Sequence, residues 1–485
     1  MSLEPIQHDY GGFDSRFLGI TLRYESLSAL KTYLDVCWAD CDPERFKRLA
    51  SQCLQASKER AFDLYTQGTL LTHELRHFHD SLLSPYGSYL FRLRARAAFN
   101  GLQGFHQCRR NRSILPVPIP LWRRKTAIEL DQLGGQWRGL LDVDRVDLSL
   151  SLDPVQTKLI DTVELQYRLI RGLVTSQQEI TEVQPYQIFE ASALLAQTQD
   201  VCNVFGPQSA ALFLRRILSG DVPKSYALPL QLLFNLYAAH EIMQVSFDEV
   251  SRIIAWCLFG DYDNDFKKAC PAMRFSILYN FLSREGLPSK KCSVQDQFGH
   301  WSKRLGCSPI ISGIRNTLKY NERFIREFRR MSPGHREAFR ALSRAVELRH
   351  AACKHMFKQW LREPDRYVHP DEYCRNTHLW VAAPLRAEFA ASVLQDWDAQ
   401  MKVNADRESI PSDDRAMHAW IRLLLQGEAP SVGVEMIDPK VARHASMDMI
   451  MTDFLFADFH RDDPSFEMVR DLLETEGLIP MEILA

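Results

Sequence analysis

The stretch that most constrains the fold is residues 71–80, which read LTHELRHFHD. No Pro or Gly interrupts residues 69–83, and the sequence SPYG at 84–87 supplies turn residues that end the run. Its large apolar residues recur at the spacing of one helix face; they are Leu71, Leu75, Phe78 and Leu82. The pattern predicts an α-helix with an apolar stripe in the core.

The same stretch contains H-E-x-x-H, formed by His73, Glu74 and His77. Because residues four apart lie on one face of a helix, the two imidazoles are placed to bind one metal ion. Glu74 lies beside them, where the general base for an activated water is needed. His79 points off this face, and we do not expect it to be a ligand.

On these residues the chain resembles the zincin metallopeptidases, and among them the gluzincins. The resemblance implies Zn²⁺ held by His73 and His77, Glu74 as the general base of peptide hydrolysis, and a third ligand from a Glu on a later helix. The segment YQIFEASALLAQ at 186–197 is the best candidate for that helix. Glu190 is our candidate ligand, because the small residues that follow it allow two helices to pack closely.

The second helix of gluzincins commonly carries E-x-x-x-D, but position 194 is Leu here. The missing Asp commonly orients a ligand histidine, so that role must pass to another residue. Asp80, one turn after His77, and Asp200 are the candidates. Asp80 is also an alternative third ligand, which its position on the histidine helix makes the weaker choice.

Composition limits the class of protein. The chain has 485 residues, of which 46% are hydrophobic, enough for one large core or two to three domains. Its eleven cysteines include no C-x-x-C pair, which is typical of reduced thiols. The first 16 residues lack a signal-peptide pattern, and no stretch approaches about 18 apolar residues. We therefore expect a soluble, cytoplasmic protein without a membrane partner.

Helical periodicity dominates the chain, whereas residues 17–24 partly alternate and form the best strand candidate. The expected fold is mainly α and multi-helical, with a small N-terminal β element and a zincin-like pair of metal-binding helices. A loop rich in Gly, Ser and Lys is expected over 285–306. Helices are predicted over 153–175, 185–202, 207–218, 228–242, 246–258, 271–283, 314–331, 334–361 and 384–401.

Three regions are predicted along the chain: a metallopeptidase-like catalytic region at 1–205, a helical extension at 206–290, and a C-terminal helical domain at 291–485. The large part beyond Glu190 is more than a general digestive enzyme needs. We expect it to recognise a protein or peptide substrate, or to bind a regulatory protein partner. The resulting hypothesis is an intracellular zinc protease of narrow specificity.

Two other functional hypotheses stay open. Glu74-Leu-Arg-His77 is repeated as Glu347-Leu-Arg-His350, and di-iron carboxylate bundles use two such motifs with further carboxylates, for which Glu190 and Glu164 are available. The third reading is a non-catalytic helical interaction protein. Clusters of Arg give it weak support, but the net charge is −2 and Glu residues are interleaved, so a nucleic-acid partner is not favoured.

Overall fold

A computed structural model provides the structure of the chain. It describes a large part of the sequence, and all structural statements below concern that part. The described residues are 11–12, 18–24, 26–37, 47, 49, 51–53, 55–111, 115–117, 154, 157, 170, 182–219, 224–240, 246–262, 268–286, 292–331, 340–405, 419, 423, 432–445 and 481–483.

The described residues form mainly α-helices, which confirms the expected fold class. Among these helices, none combines the length and the apolar composition needed to cross a lipid bilayer. In chain order the helices are α1 Leu27–Cys37, α2 Lys58–Gly68, α3 Leu70–Leu83, α4 Pro85–Asn111, α5 Pro185–Phe205, α6 Pro207–Ser219, α7 Lys224–Ala239, α8 Phe247–Leu258, α9 Pro271–Glu285, α10 Val294–Arg304, α11 Ile310–Met331, α12 Arg340–Arg362, α13 Asp365–Val368, α14 Pro370–Arg375 and α15 Ala391–Ala405.

Short strands complete the fold. They are β1 Gly11–Gly12, β2 Ile20–Tyr24, β3 Leu115–Val117, β4 Leu385–Phe389 and β5 Met481–Ile483. In one sheet, β2 lies between β1 and β4; it pairs with β1 antiparallel and with β4 in parallel. In the other, β3 and β5 pair in parallel. The strand predicted over 17–24 is confirmed over residues 20–24, which form β2.

One continuous hydrophobic core includes side chains from all three predicted regions. Leu30 in α1, Ile188 in α5, Phe275 in α9 and Trp360 in α12 all belong to it, each at most 2% exposed. The boundaries between the three regions stay a prediction. The helix predicted over 153–175 lies almost wholly outside the described residues.

The loop expected over 285–306 is wrong, because α10 lies within it. Val294, Phe298 and Trp301 recur at helical spacing and are buried. Ser293 starts the helix by accepting a hydrogen bond from a backbone N–H of the first turn at 3.1 Å. The free energy gained by burying these apolar side chains therefore stabilises a helix where the Gly, Ser and Lys content alone predicted a loop.

The helix predicted over 384–401 is wrong at its start, where the chain forms β4 before α15 begins. β4 runs alongside β2, with Ile20 opposite Leu385 and Tyr24 opposite Phe389. The residues of β4 are acceptable in a helix, but a neighbouring buried strand offers backbone partners that local propensity does not predict.

A one-residue corner joins α3 to α4. Ser84 is that residue, and its Oγ accepts a hydrogen bond from the backbone N–H of Gly87 at 3.0 Å. A Cβ atom at Gly87 would lie 2.2 Å from the Ser81 carbonyl oxygen, far inside contact distance. The sequence therefore needs glycine there for α4 to begin directly beside the end of α3.

We expect Gly87→Ala to lower the free energy of unfolding by about 1–3 kcal/mol, because backbone must move to admit the methyl group. The control is Gly299→Ala in α10, where a Cβ would meet nothing within 4 Å. Alanine there should raise the free energy of unfolding by about 0.5–1 kcal/mol through helix propensity. Urea denaturation measures both. Effects of the same sign and size would contradict the account of the corner.

Candidate metal centre

The H-E-x-x-H helix, α3, is buried on nearly every side. All of residues 73–83 are buried, and the apolar stripe enters the core as its spacing predicts. Counted over the whole residue, the exposed fractions of His73, Glu74 and His77 are 3%, 1% and 6%. Buried polar side chains need partners, so the contacts of these residues determine what the helix can do.

Helix α5 brings Glu190 to the two histidines. Pro185 begins α5, and the side chain of Gln187 accepts a hydrogen bond from the backbone N–H of Gln184 at 2.9 Å, which fixes the first turn. The small residues at 191–193 are buried and allow α5 to pack directly against α3. The adjacent pair of helices expected from the sequence is therefore present.

Three potential ligand atoms converge between α3 and α5. His73 Nε2 lies 3.0 Å from His77 Nε2. Glu190 Oε2 lies 3.3 Å from His73 Nε2 and 3.4 Å from His77 Nε2. Within the described ranges, these side chains form the one group of three or more His, Cys, Asp or Glu residues that could hold a metal ion.

The separations suit a metal ion. A tetrahedral ion with nitrogen and oxygen ligands at about 2.0–2.1 Å requires ligand atoms about 3.3 Å apart. The separations of 3.0, 3.3 and 3.4 Å are close to that value. Two imidazoles and a carboxylate are also a donor set that transition metals prefer. The residues present therefore fit a transition-metal ion.

Gln197 favours one tautomer of the neutral His73 ring. Its Oε1 lies 3.0 Å from His73 Nδ1, so Nδ1 donates this hydrogen bond and carries the ring proton. The lone pair on His73 Nε2 then faces Glu190 and His77. The sequence analysis did not select Gln197 for this role, although its position two turns after Glu190 places it on the same face of α5.

Glu190 presents an anionic oxygen to the cluster. Burial alone would raise the pKa of its carboxyl, but the charges and hydrogen bonds of His77 and His73 outweigh that effect and hold the pKa well below its usual value. An ionised carboxylate among two imidazole nitrogens is favourable when a cation lies between them. The charges that lower this pKa belong to protonated rings, so the support for a bound cation comes from the geometry and not from this pKa.

The two aspartates proposed as orienting residues contact other groups. Asp80 Oδ1 accepts a hydrogen bond from Tyr367 Oη at 2.7 Å and lies 3.4 Å from Arg76 Nε. Asp200 accepts a hydrogen bond from Thr72 Oγ1 at 2.5 Å. Neither of these contacts involves a ligand histidine; the orienting contact on His73 comes from a glutamine of α5 instead.

His79 lies off the ligand face, as expected. Burial lowers the pKa of its imidazole to about 3, so the ring is neutral at physiological pH. Its Nε2–H donates to the Val381 carbonyl oxygen at 2.7 Å, and Nδ1 accepts from Tyr373 Oη at 2.8 Å. His79 therefore fastens α3 to a segment about 300 residues further along the chain.

Arg76, the fourth residue of the motif, joins three parts of the structure. Its Nε donates to Ser192 Oγ on α5 at 2.9 Å, and its Nη1 donates to the Tyr367 carbonyl oxygen at 2.7 Å. The guanidinium lies over the rings of Tyr367 and Tyr373, 4.1 and 4.5 Å from their centroids. Arg76 thus holds the helix of the histidines, the helix of Glu190 and the segment after α12 in one arrangement.

The second copy of the E-x-x-H tetrapeptide does not join a metal-binding group among the described residues. The Glu347 carboxylate pairs with Arg329 at 2.7 Å and with Arg344 at 3.3 Å. These contacts make Glu347 part of a surface ion-pair network. Surface ion pairing explains the presence of Glu347 without a role as an iron ligand. Glu164, the other carboxylate considered for a di-iron site, lies outside the described residues.

Comparisons with protein-family profiles, with curated proteins and with solved structures found no match to this chain. The resemblance to gluzincins therefore stays a prediction from the sequence.

We expect Gln197→Ala to weaken metal binding by about 10–100-fold, because the ring of His73 loses the acceptor that fixes its tautomer. The control is Gln199→Ala on the same helix, whose side chain hydrogen-bonds Asn203 near the surface. Competition titration with a chromogenic chelator measures both affinities. Unchanged affinity in Gln197→Ala would exclude this role for the glutamine.

We expect Arg76→Met to lower the free energy of unfolding by about 3–5 kcal/mol, because Asp80 is left as a buried charge. Arg375→Met removes the same i,i+4 type of ion pair, with Asp371 at 2.8 Å, from the surface. That control should cost at most about 1 kcal/mol. Chemical denaturation measures the free energy of unfolding of both variants. Equal decreases would contradict a larger stabilising contribution from the buried ion pair.

Proposed function

We propose that the protein is a zinc-dependent peptidase in which Glu74 is the general base. The observation that carries the proposal is the convergence of His73 Nε2, His77 Nε2 and Glu190 Oε2 between two packed helices. Two histidines and one glutamate form a known ligand set of catalytic zinc, which keeps a fourth position for water, whereas structural zinc has four protein ligands.

The side chains of the chain have distinct roles in this reaction. His73, His77 and Glu190 would hold a zinc ion, which would act as a Lewis acid and lower the pKa of a bound water molecule. Glu74 takes the proton of the attacking water on its carboxylate and returns it to the amine nitrogen of the leaving group. Gln197 keeps the ring of His73 oriented. Because the site is shielded from solvent, each of these charge interactions is stronger than it would be in water.

Substrate access requires a conformational step. The side chains of His73, His77 and Glu190 are only 3%, 8% and 9% exposed, so a peptide must reach them through a movement of the surrounding chain. A site that opens only for a suitable partner supports narrow specificity. A protein substrate, or a regulatory protein partner that opens the site, is consistent with the size of the chain beyond α5.

The same burial favours a second candidate function. In it the protein is a non-catalytic helical interaction protein, and a metal ion stabilises the packing of α5 on α3. A metal that binds only the folded chain stabilises it according to its concentration and affinity. This candidate predicts metal-dependent stability but no hydrolysis that depends on Glu74.

Zinc content and peptide cleavage test the proposal together. We expect about one zinc ion per purified wild-type chain, and loss of zinc in His77→Ala and in Glu190→Ala. Glu74→Gln should keep zinc and lose peptide cleavage by about 10²–10⁴-fold, because only the proton acceptor is removed. A peptide library read by mass spectrometry reports the cleavage.

Glu347→Gln is the matched control, since this carboxylate lies in a surface ion-pair network. It should keep both the zinc and the cleavage. Full zinc retention in Glu190→Ala would remove the third ligand from the proposal. Cleavage that persists unchanged in Glu74→Gln would exclude the peptidase mechanism, and two irons per chain that depend on Glu347 would favour the di-iron reading.

A further inference from the structure

A small cavity lies between α4, α11 and α12. Its volume is about 10 Å³, and its lining includes Phe91, Arg92, Asn321, Arg349 and His350. A cavity of this size has room for one water molecule or one monatomic ion. Three of these residues are basic, and none of the described residues that line it is acidic.

Arg349 is a buried guanidinium, 4% exposed, and no carboxylate among the described residues pairs with it. Its Nη2 donates to the carbonyl oxygen and the Oγ of Ser81, at 2.8 and 3.2 Å. Its Nε is buried and has no hydrogen-bond acceptor in the part of the chain that the structure describes. The carbonyl end of α3, where Ser81 lies, and the ring of Phe91, 4.6 Å from the guanidinium, offer Arg349 only partial negative charge and no anion.

The neighbouring groups do not supply the missing charge. Burial raises the pKa of the Cys353 thiol, which stays neutral, and burial lowers the pKa of Arg349 itself. His350 Nδ1 is buried and has no hydrogen-bond partner among the described residues, while its Nε2 lies 3.8 Å from Glu322 at the surface. Arg349 Nε–H is therefore available as a donor, and the neutral His350 ring supplies a second donor in the tautomer that carries its proton on Nδ1.

We propose that this cavity binds one monatomic anion of the size of chloride, held by Arg349 and His350 beside Arg92. Buried charges in proteins are normally paired, and an anion neutralises Arg349 where a water molecule offers only a dipole. Phosphate and sulfate are too large for the volume. A bound anion links α4, α11 and α12 next to the end of α3.

Bromide is the direct probe, because it replaces chloride and scatters X-rays anomalously. Crystals of the wild-type protein grown in sodium bromide should show an anomalous peak in the cavity next to Arg349 Nε. Val346→Leu adds a methylene group to the cavity wall while leaving Arg349 in place, and this variant should lose the peak. A cavity that holds water or is empty in bromide would overturn the proposal.

Thermal unfolding gives a second readout in solution. Replacing sodium gluconate by sodium chloride at constant ionic strength should raise the Tm of the wild type by about 2 °C or more. Arg349→Met and Val346→Leu should abolish this rise. Arg344→Met, which removes an exposed arginine of the same helix, should keep it.

If Arg349→Met does not fold, Val346→Leu and the bromide crystals still decide the question. A chloride-dependent rise that persists in Val346→Leu would show a general salt effect and contradict a site in the cavity. Both readouts are independent of zinc and of cleavage, so they separate the anion site from the proposed function.

Discussion

Burial of a helix that carries His, Glu, Arg and Asp is the constraint on which the rest of this structure depends. Polar groups removed from water need partners, and those of His73, Arg76 and His79 come from α5 and from the segment after α12. From α5, Gln197 and Glu190 contact His73. Arg76 donates hydrogen bonds to Ser192 and Tyr367, and Tyr367 donates one to Asp80. The geometry of the candidate metal centre is thus part of the same network that allows α3 to be buried.

Local patterns were sufficient to predict much of the centre. The spacing of His73 and His77 fixed one face of α3, and the small residues after Glu190 predicted the close packing of α5. The contacts of Arg76 with Tyr367 and of His79 with Val381 could not be predicted from the sequence. These partners are about 300 residues away, and no local pattern around them indicates such a contact. The same limit explains β4, whose strand conformation depends on pairing with β2.

The contacts of the C-terminal segment change how the chain should be viewed. Tyr373 and Val381 complete the hydrogen bonds of His79, and the Tyr367 carbonyl completes those of Arg76. Residues from the region expected to recognise substrate or partner therefore also support the motif helix. A partner that displaced this segment would disturb α3 directly, which gives the proposed opening of the site a physical route.

The most direct test of the central claim, that His73, His77 and Glu190 bind one metal ion together, is X-ray absorption at the zinc edge on the purified, zinc-loaded protein. The account predicts two imidazole nitrogens and one or two oxygens at about 2.0–2.1 Å, and no sulfur. Sulfur ligands at about 2.3 Å, or a spectrum unchanged by Glu190→Ala, would place the metal elsewhere and contradict it.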